Sequence, residues 1–193
     1  MVSFDSSLVG TWSSKGAKKW LIEDLKDKVL RENKVSSLEE LDEADRTMYE
    51  EFKGSYFVSI TDDGVESFFL VVPFKIDNQL FLDFSPFMVE SDLNSLTQNH
   101  LLNAHSLVKL DILNDGKVSL NWFDEDRIKD LFKQNKIKIK HEKIRGSLFE
   151  EEILLTAKPK ELQKFIRKYV ASSNEDKWKT DTKYTLTRDL TTP

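Results

Sequence analysis

The chain has 193 residues, with 29 Lys and Arg against 34 Asp and Glu, a net charge of −5, and 39% hydrophobic residues. That length and balance fit a folded chain with one well-filled core and a heavily charged surface, and they disfavour nucleic-acid binding as a whole-protein property, since phosphate attraction needs an excess of Lys and Arg. Cysteine is absent, which excludes disulfides, thiolate catalysis and cysteine-ligated zinc or iron–sulfur centres.

Gly10-Thr11-Trp12 opens the first predicted strand, a turn glycine followed by a large indole. Residues 20–53 read as helical. Trp20, Leu21, Leu25 and Val29 lie three to four apart, and Asp24 and Lys28 form an i,i+4 pair. Ser37-Leu38-Glu39-Glu40 matches a capping box for a second helix, with Leu38, Leu41, Met48 and Phe52 as its buried face and Gly54 as its stop. Residues 13–53 are therefore expected as a helical insertion after the first strand, within one domain spanning residues 1–193.

From Gly54 the period changes to two. Tyr56 to Ile60 is a strand ending at the hairpin signal Asp62-Asp63-Gly64. Val65 to Ile76 is a long strand in which Pro73 implies a bulge or an edge. Asp77-Asn78 turns the chain into the strand Leu80 to Phe84. Residues 85–103 read as a loop with a helical turn. Leu107 to Leu113 and Lys117 to Phe123 form a second hairpin around Asn114-Asp115-Gly116, with Val108, Leu110, Ile112, Val118, Leu120 and Trp122 on one face.

Asp124 is a predicted N-cap for a helix whose inner face is Ile128, Leu131 and Phe132. Lys136 to His141 alternates lysines with Ile137 and Ile139, as an edge strand does when its lysines deter edge-to-edge pairing. A loop around Gly146 leads to the strand Ile153 to Thr156. Pro159 suits the first turn of a helix carrying Leu162, Phe165, Ile166, Tyr169 and Val170 as an apolar stripe. The last strand is Tyr184 to Leu190.

Together these are about nine strands and four helices, which predict a mainly β, α+β fold: an antiparallel barrel or a strongly curved meander sheet with peripheral helices. Trp12 in the first strand and Arg188 in the last are what such a barrel needs where its ends meet. The indole fills the floor, and the guanidinium stacks on it for about 0.5–2 kcal/mol while satisfying nearby carbonyls.

Gly10-Thr11-Trp12 at the first strand, followed by meander hairpins, resembles the G-x-W start of lipocalins and their calycin relatives. That resemblance implies an up-and-down barrel with the tryptophan at its closed end, beside a basic residue from a late strand. Trp12 and Arg188 match those two roles. The helical stretch after the first strand and the helices at 124–134 and 158–171 depart from the family pattern. Leu155-Thr156-Ala157 with Glu161 to Phe165 is similar to a segment of bacterial envelope lipoproteins, which implies export and no known activity.

The longest apolar run, Phe68 to Val72, is far shorter than the roughly 20 residues of a membrane span. Met1-Val2-Ser3-Phe4-Asp5 lacks the basic and apolar regions of a secretory signal. A soluble, cytoplasmic protein is expected for the chain as it begins. If Met1 stands ahead of a shortened chain, the expectation becomes the cell envelope or export.

Candidate chemistry is sparse. His100 and His105 are five apart, off the i,i+4 spacing that aims two imidazoles at one ion, and nothing in the sequence requires them to converge with His141, so no metal site is expected. The acidic runs Asp62/Asp63, Asp124 to Asp126 and Glu150 to Glu152 sit at turns and helix starts, where acids cap helices. Asp83 is flanked by Leu82 and Phe84, and alternation points it outward. There is no G-x-S-x-G, P-loop or G-x-G-x-x-G motif, and no cofactor is expected.

The reading ranked first is a non-catalytic binding module that holds a small apolar ligand or a partner in or at the mouth of the barrel, through Phe69, Phe81, Trp122 and His105. The second is a structural or interaction protein with a filled core. The third is a metal-dependent or hydrolytic enzyme using His105 with nearby acids. The sequence leaves oligomeric state open.

Overall fold

A computed structural model describes residues 2–16, 18–87, 104–145, 151–173 and 175–189. The predicted loop and helical turn at 85–103 fall mostly outside the described residues, as do His100, the loop around Gly146, Glu150 and Leu190.

Eight antiparallel strands close into a barrel: β1 (Gly10–Ser13), β2 (Lys19–Asp24), β3 (Tyr56–Asp62), β4 (Val65–Ile76), β5 (Gln79–Pro86), β6 (Ser106–Ile112), β7 (Val118–Trp122) and β10 (Lys183–Arg188). Each of the first six pairs with the next in the chain, and β10 joins β7 to β1. The two remaining strands, β8 (His141–Arg145) and β9 (Glu151–Leu155), form a separate two-stranded sheet. The barrel's interior is built by strict alternation. Trp12, Trp20, Val58, Val71, Leu82, Phe84, Val108, Leu110, Val118, Leu120 and Leu186 converge there.

Closure follows the expected pairing. Trp12 lies opposite Arg188 in the β1–β10 register. The guanidinium carbon sits 4.3 Å from the indole centroid. Arg188 Nη1 donates to the Val9 carbonyl at 3.0 Å, and Nη2 donates to the Ser7 carbonyl. Trp12 Nε1 donates to the Leu8 carbonyl at 2.9 Å. Gly10 has φ +138°, and a Cβ there would lie 2.5 Å from Arg188 Nη1. The positive φ calls for glycine, and a Cβ would also push the guanidinium from its place.

The N-terminal segment plugs this end. A 3-10 turn (Ser6–Leu8), capped by Asp5, drops Leu8 into the interior. Phe4 stacks on Tyr56 with ring centroids 4.8 Å apart. The Tyr56 hydroxyl accepts from the Asp5 N–H at 2.7 Å and donates to the Asp5 carbonyl at 2.9 Å. Burial raises the Tyr56 pKa to about 12. The folded state thus holds the phenol neutral, while an unfolded tyrosine ionises near pH 10. This contribution to stability is complete below about pH 10 and is lost as pH climbs toward 12. Urea midpoints measured across that window are expected to fall more steeply for the wild type than for Tyr56→Phe. Identical slopes would remove the phenol from the plug's energetics.

The helices pack on the outside. Helix α1 (Leu25–Asn33), helix α2 (Glu43–Glu51) and the connection between them bring Leu25, Val29 and Leu41 onto Phe57 and Leu70, with Leu38, Met48 and Phe52 around them. Helix α3 (Glu125–Lys133) is capped by Asp124, whose carboxylate accepts from the Arg127 N–H at 2.9 Å. Helix α4 (Pro159–Ala171) lays Ile166, Phe165 and Val170 against Ile76, Phe81 and Phe74. Among the described residues no helix is long and apolar enough to cross a membrane.

Three expectations are corrected. Residues 19–24 form β2 and not the start of a helix. Trp20 pairs with Trp12 and Ile60, and Ile22 with Gly10 and Val58. Burying those two side chains inside the barrel outweighs the helical spacing to Leu25 and Val29. The Ser37 side chain makes no capping hydrogen bond, and Leu38–Glu40 is only a 3-10 turn. The cap of α2 is Asp42, which accepts from the Asp45 N–H at 2.8 Å and is followed by Glu43 and Asp45, acids favoured in a first turn. Residues 136–140 are not a strand, and pairing begins at His141. After α3, Asn135 takes φ +54° and the Lys136 N–H returns to the Leu131 carbonyl at 2.9 Å. The turn off α3 carries the segment to the β8–β9 sheet only at Lys140, whose carbonyl accepts from the Thr156 N–H at 3.0 Å.

Pro73 resolves as an edge position. β3 pairs with β4 only as far as Val71. Beyond it, the Ser3 N–H reaches the Pro73 carbonyl at 2.8 Å.

Candidate functional site

The barrel has one plugged end and one aromatic end. At the aromatic end five rings form a chain around the wall. Trp20 on β2 meets Tyr184 on β10 at 5.2 Å between centroids. Tyr184 meets Trp122 on β7 at 5.6 Å, and Trp122 meets Phe84 on β5 at 5.3 Å. Phe84 meets Phe69 on β4 at 5.6 Å. Their spacing and tilts fit aromatic pairing worth about 0.5–1.5 kcal/mol each beyond simple burial. Trp20 and Phe84 are buried; Phe69, Trp122 and Tyr184 are half-buried and reach the mouth. Lys18, on the hairpin above, lies 5.5 Å from the Tyr184 ring and 2.6 Å from the Asp62 carboxylate.

Between this collar and the plug the interior holds a cavity of about 20 Å3, lined by Trp12, Trp20, Tyr56, Leu110, Leu120 and Leu186 among other apolar side chains. That is on the order of one water molecule.

The four proposed ligand residues do not converge. Phe69 and Trp122 face the interior at the mouth, bridged by Phe84. Phe81 faces the opposite way, fully buried on the outer wall. It stacks on Phe74 at 5.7 Å and lies 6.0 Å from Trp178. His105 is exposed, with Nδ1 2.9 Å from an Asp83 carboxylate oxygen. Asp83 points outward, as its alternation predicts. It shares no wall face with Phe69.

The remaining chemical candidates have structural partners. His141 Nδ1 lies 2.9 Å from the Ile139 carbonyl, and its ring rests on Phe132 with centroids 3.9 Å apart. Lys143 pairs with Glu151 at 2.9 Å. Among the described residues no group of three or more His, Asp or Glu side chains is placed to hold a metal ion.

Sequence reasoning missed Trp20, Phe84 and Tyr184 as members of the collar. Trp20 was hidden by its helical spacing to Leu25. The Trp20–Ile22 alternation was the available signal. No protein-family model, curated protein or solved structure matches the chain.

Proposed function

We propose that this protein is a non-catalytic interaction module whose barrel is a filled scaffold and whose partner docks on the outer surface. The observation that carries this reading is the interior cavity of about 20 Å3. Small-molecule sites run to about 300–1,000 Å3. A second reading places a small apolar ligand at the mouth, favoured by the half-buried Phe69, Trp122 and Tyr184. Kinship with lipocalins and calycins is proposed on Gly10-Thr11-Trp12, Arg188 and the up-and-down strand order. The envelope-lipoprotein address is proposed on Leu155-Thr156-Ala157 and Glu161 to Phe165 alone.

Intrinsic fluorescence tests the reading directly, because Trp12, Trp20 and Trp122 all belong to or pack against the interior cluster. Titration with a long-chain fatty acid is expected to give no saturable change, and native mass spectrometry is expected to return the mass of the chain alone. Saturable one-to-one binding overturns the filled-scaffold reading. If Trp122→Phe then weakens that binding about tenfold, a loss of about 1.4 kcal/mol, the mouth is the site.

A further inference from the structure

A cleft of about 770 Å3 lies away from the barrel interior, between the end of α3, the segment 135–140 and one flank of α4. Its lining is basic. Arg127, Lys136, Lys138, Lys140, Lys164 and Lys168 face it, with Glu161 as its one carboxylate. This concentration occurs in a chain whose net charge is −5. Lys164 and Lys168 are one helical turn apart and share a face. Among the described residues none of those six cations makes an ion pair with a carboxylate. Glu161 is already engaged, accepting from the Lys158 N–H at 3.2 Å. A seventh cation, Lys177, is spent on α4, donating to the carbonyls of Val170 and Ser172.

The floor is apolar. Leu131, Ile137, Ile139, Phe165 and Tyr169 supply it. The wall at 136–140 also has a free backbone. It is tied at one end by the Lys136 N–H to Leu131 and at the other by the Thr156 N–H, which reaches the Lys140 carbonyl at 3.0 Å. Between these ties, Ile137, Lys138 and Ile139 make no backbone-to-backbone hydrogen bond among the described residues. The segment therefore presents alternating Lys and Ile side chains together with the N–H groups of 137–139 and the carbonyls of Ile137 and Lys138, which have no backbone partner among the described residues; the Ile139 carbonyl is held by His141 Nδ1.

From this we infer that the cleft binds an acidic, extended peptide segment of a partner protein, one that alternates Asp or Glu with apolar residues. The inference rests on the surface-interaction reading above and names its site. Three features match such a peptide at once. Its carboxylates meet lysines that make no ion pair among the described residues. Its apolar side chains cover Ile137, Ile139 and the floor. Its backbone pairs with the open segment, as in strand addition to a free edge. A single-stranded nucleic acid matches only the charge. It wants exposed aromatic platforms, whereas Phe165 and Tyr169 pack on each other and on Phe123, and the cleft's cations are mostly lysines.

The test is fluorescence anisotropy on the full chain with a labelled peptide of alternating Glu and Val. Probes for comparison are the same peptide with Gln for Glu, the same peptide N-methylated at alternate residues, and an oligothymidylate of equal charge. Saturable binding by the Glu peptide is expected, weakened at least about tenfold by Gln replacement and by the double variant Lys164→Gln/Lys168→Gln, as lost charge pairs require. N-methylation on the pairing edge is expected to weaken it similarly. Lys136→Gln/Lys138→Gln provides a second variant on a different element, so one misfolded protein does not decide the outcome; far-UV circular dichroism checks both. No saturable binding by the Glu peptide, equal binding by wild type and both variants, or tighter binding of the oligothymidylate would each overturn the inference. None of these results touches the filled-barrel reading, which is tested separately by ligand binding to the interior.

Discussion

Trp12→Ala is expected to destabilise the protein by about 3–5 kcal/mol, the range for truncating a large buried aromatic. Typical domains have only about 5–15 kcal/mol in total, so this one change removes a large share of stability. Three losses combine. The indole is 2% exposed, so its removal leaves a void at the barrel floor. The Leu8 carbonyl loses its donor. The Arg188 guanidinium loses the surface it rests on while remaining held by the Ser7 and Val9 carbonyls. Urea unfolding should show the full loss as a lower midpoint with an unchanged slope. Trp12→Phe separates the parts: it keeps most of the apolar area and costs about 1–3 kcal/mol for the unpaired Leu8 carbonyl. A double-mutant cycle with Arg188→Met should return a coupling of about 0.5–2 kcal/mol for the stacked pair. A near-zero cost for Trp12→Ala would mean that the barrel closes without its indole.

Trp12 and Arg188 were legible because their roles need only sequence order, one in the first strand and one in the last. The hairpins were equally legible, because Asp63-Gly64 and Asn114-Asp115-Gly116 carry turn chemistry that no other local structure wants. The bounds of β4, Val65–Ile76, came out as read. The stripe on α4 also came out as read, with Ile166 and Tyr169 buried.

The misreadings within the barrel have a common cause: its wall is buried on both faces. β4 and β5 are lined inside by Val71, Leu82 and Phe84 and covered outside by Leu70, Phe81 and Ile76. Alternation then marks a strand but not which face is inner. Phe69 and Phe81 looked equivalent for that reason, and only the register, Phe69 opposite Pro86 and Phe81 opposite Phe74, separates them. The same ambiguity hid β2, where Trp20 and Ile22 face in while Leu25 and Val29 of the adjoining helix pack outside. The basic cleft was read as an edge strand because Lys/Ile alternation is a strand signal. Nothing in the sequence says that pairing with β9 begins only at His141.

Phe84→Ala is expected to convert the filled barrel into a hollow one. Phe84 is 3% exposed and touches both Phe69 and Trp122, so it joins the two halves of the aromatic collar. Its truncation should cost about 3–5 kcal/mol, the higher values applying if the collar cannot collapse inward. Collapse is resisted because every neighbour is fixed by a strand of the closed wall. The space created adds to the existing cavity of about 20 Å3, and apolar cavities on the order of 150 Å3 stay dry and take up benzene. The variant should therefore bind benzene saturably, with a rise in thermal midpoint that the wild type does not show. Phe84→Leu, which refills most of the space, should cost less and bind none. The pair of variants makes the physical distinction that matters for function. If the wild type itself gains stability from benzene, the interior is already a ligand site and the partner-binding reading loses its basis. If only Phe84→Ala does, the native side chains are what exclude a ligand, and recognition belongs to the outer surface.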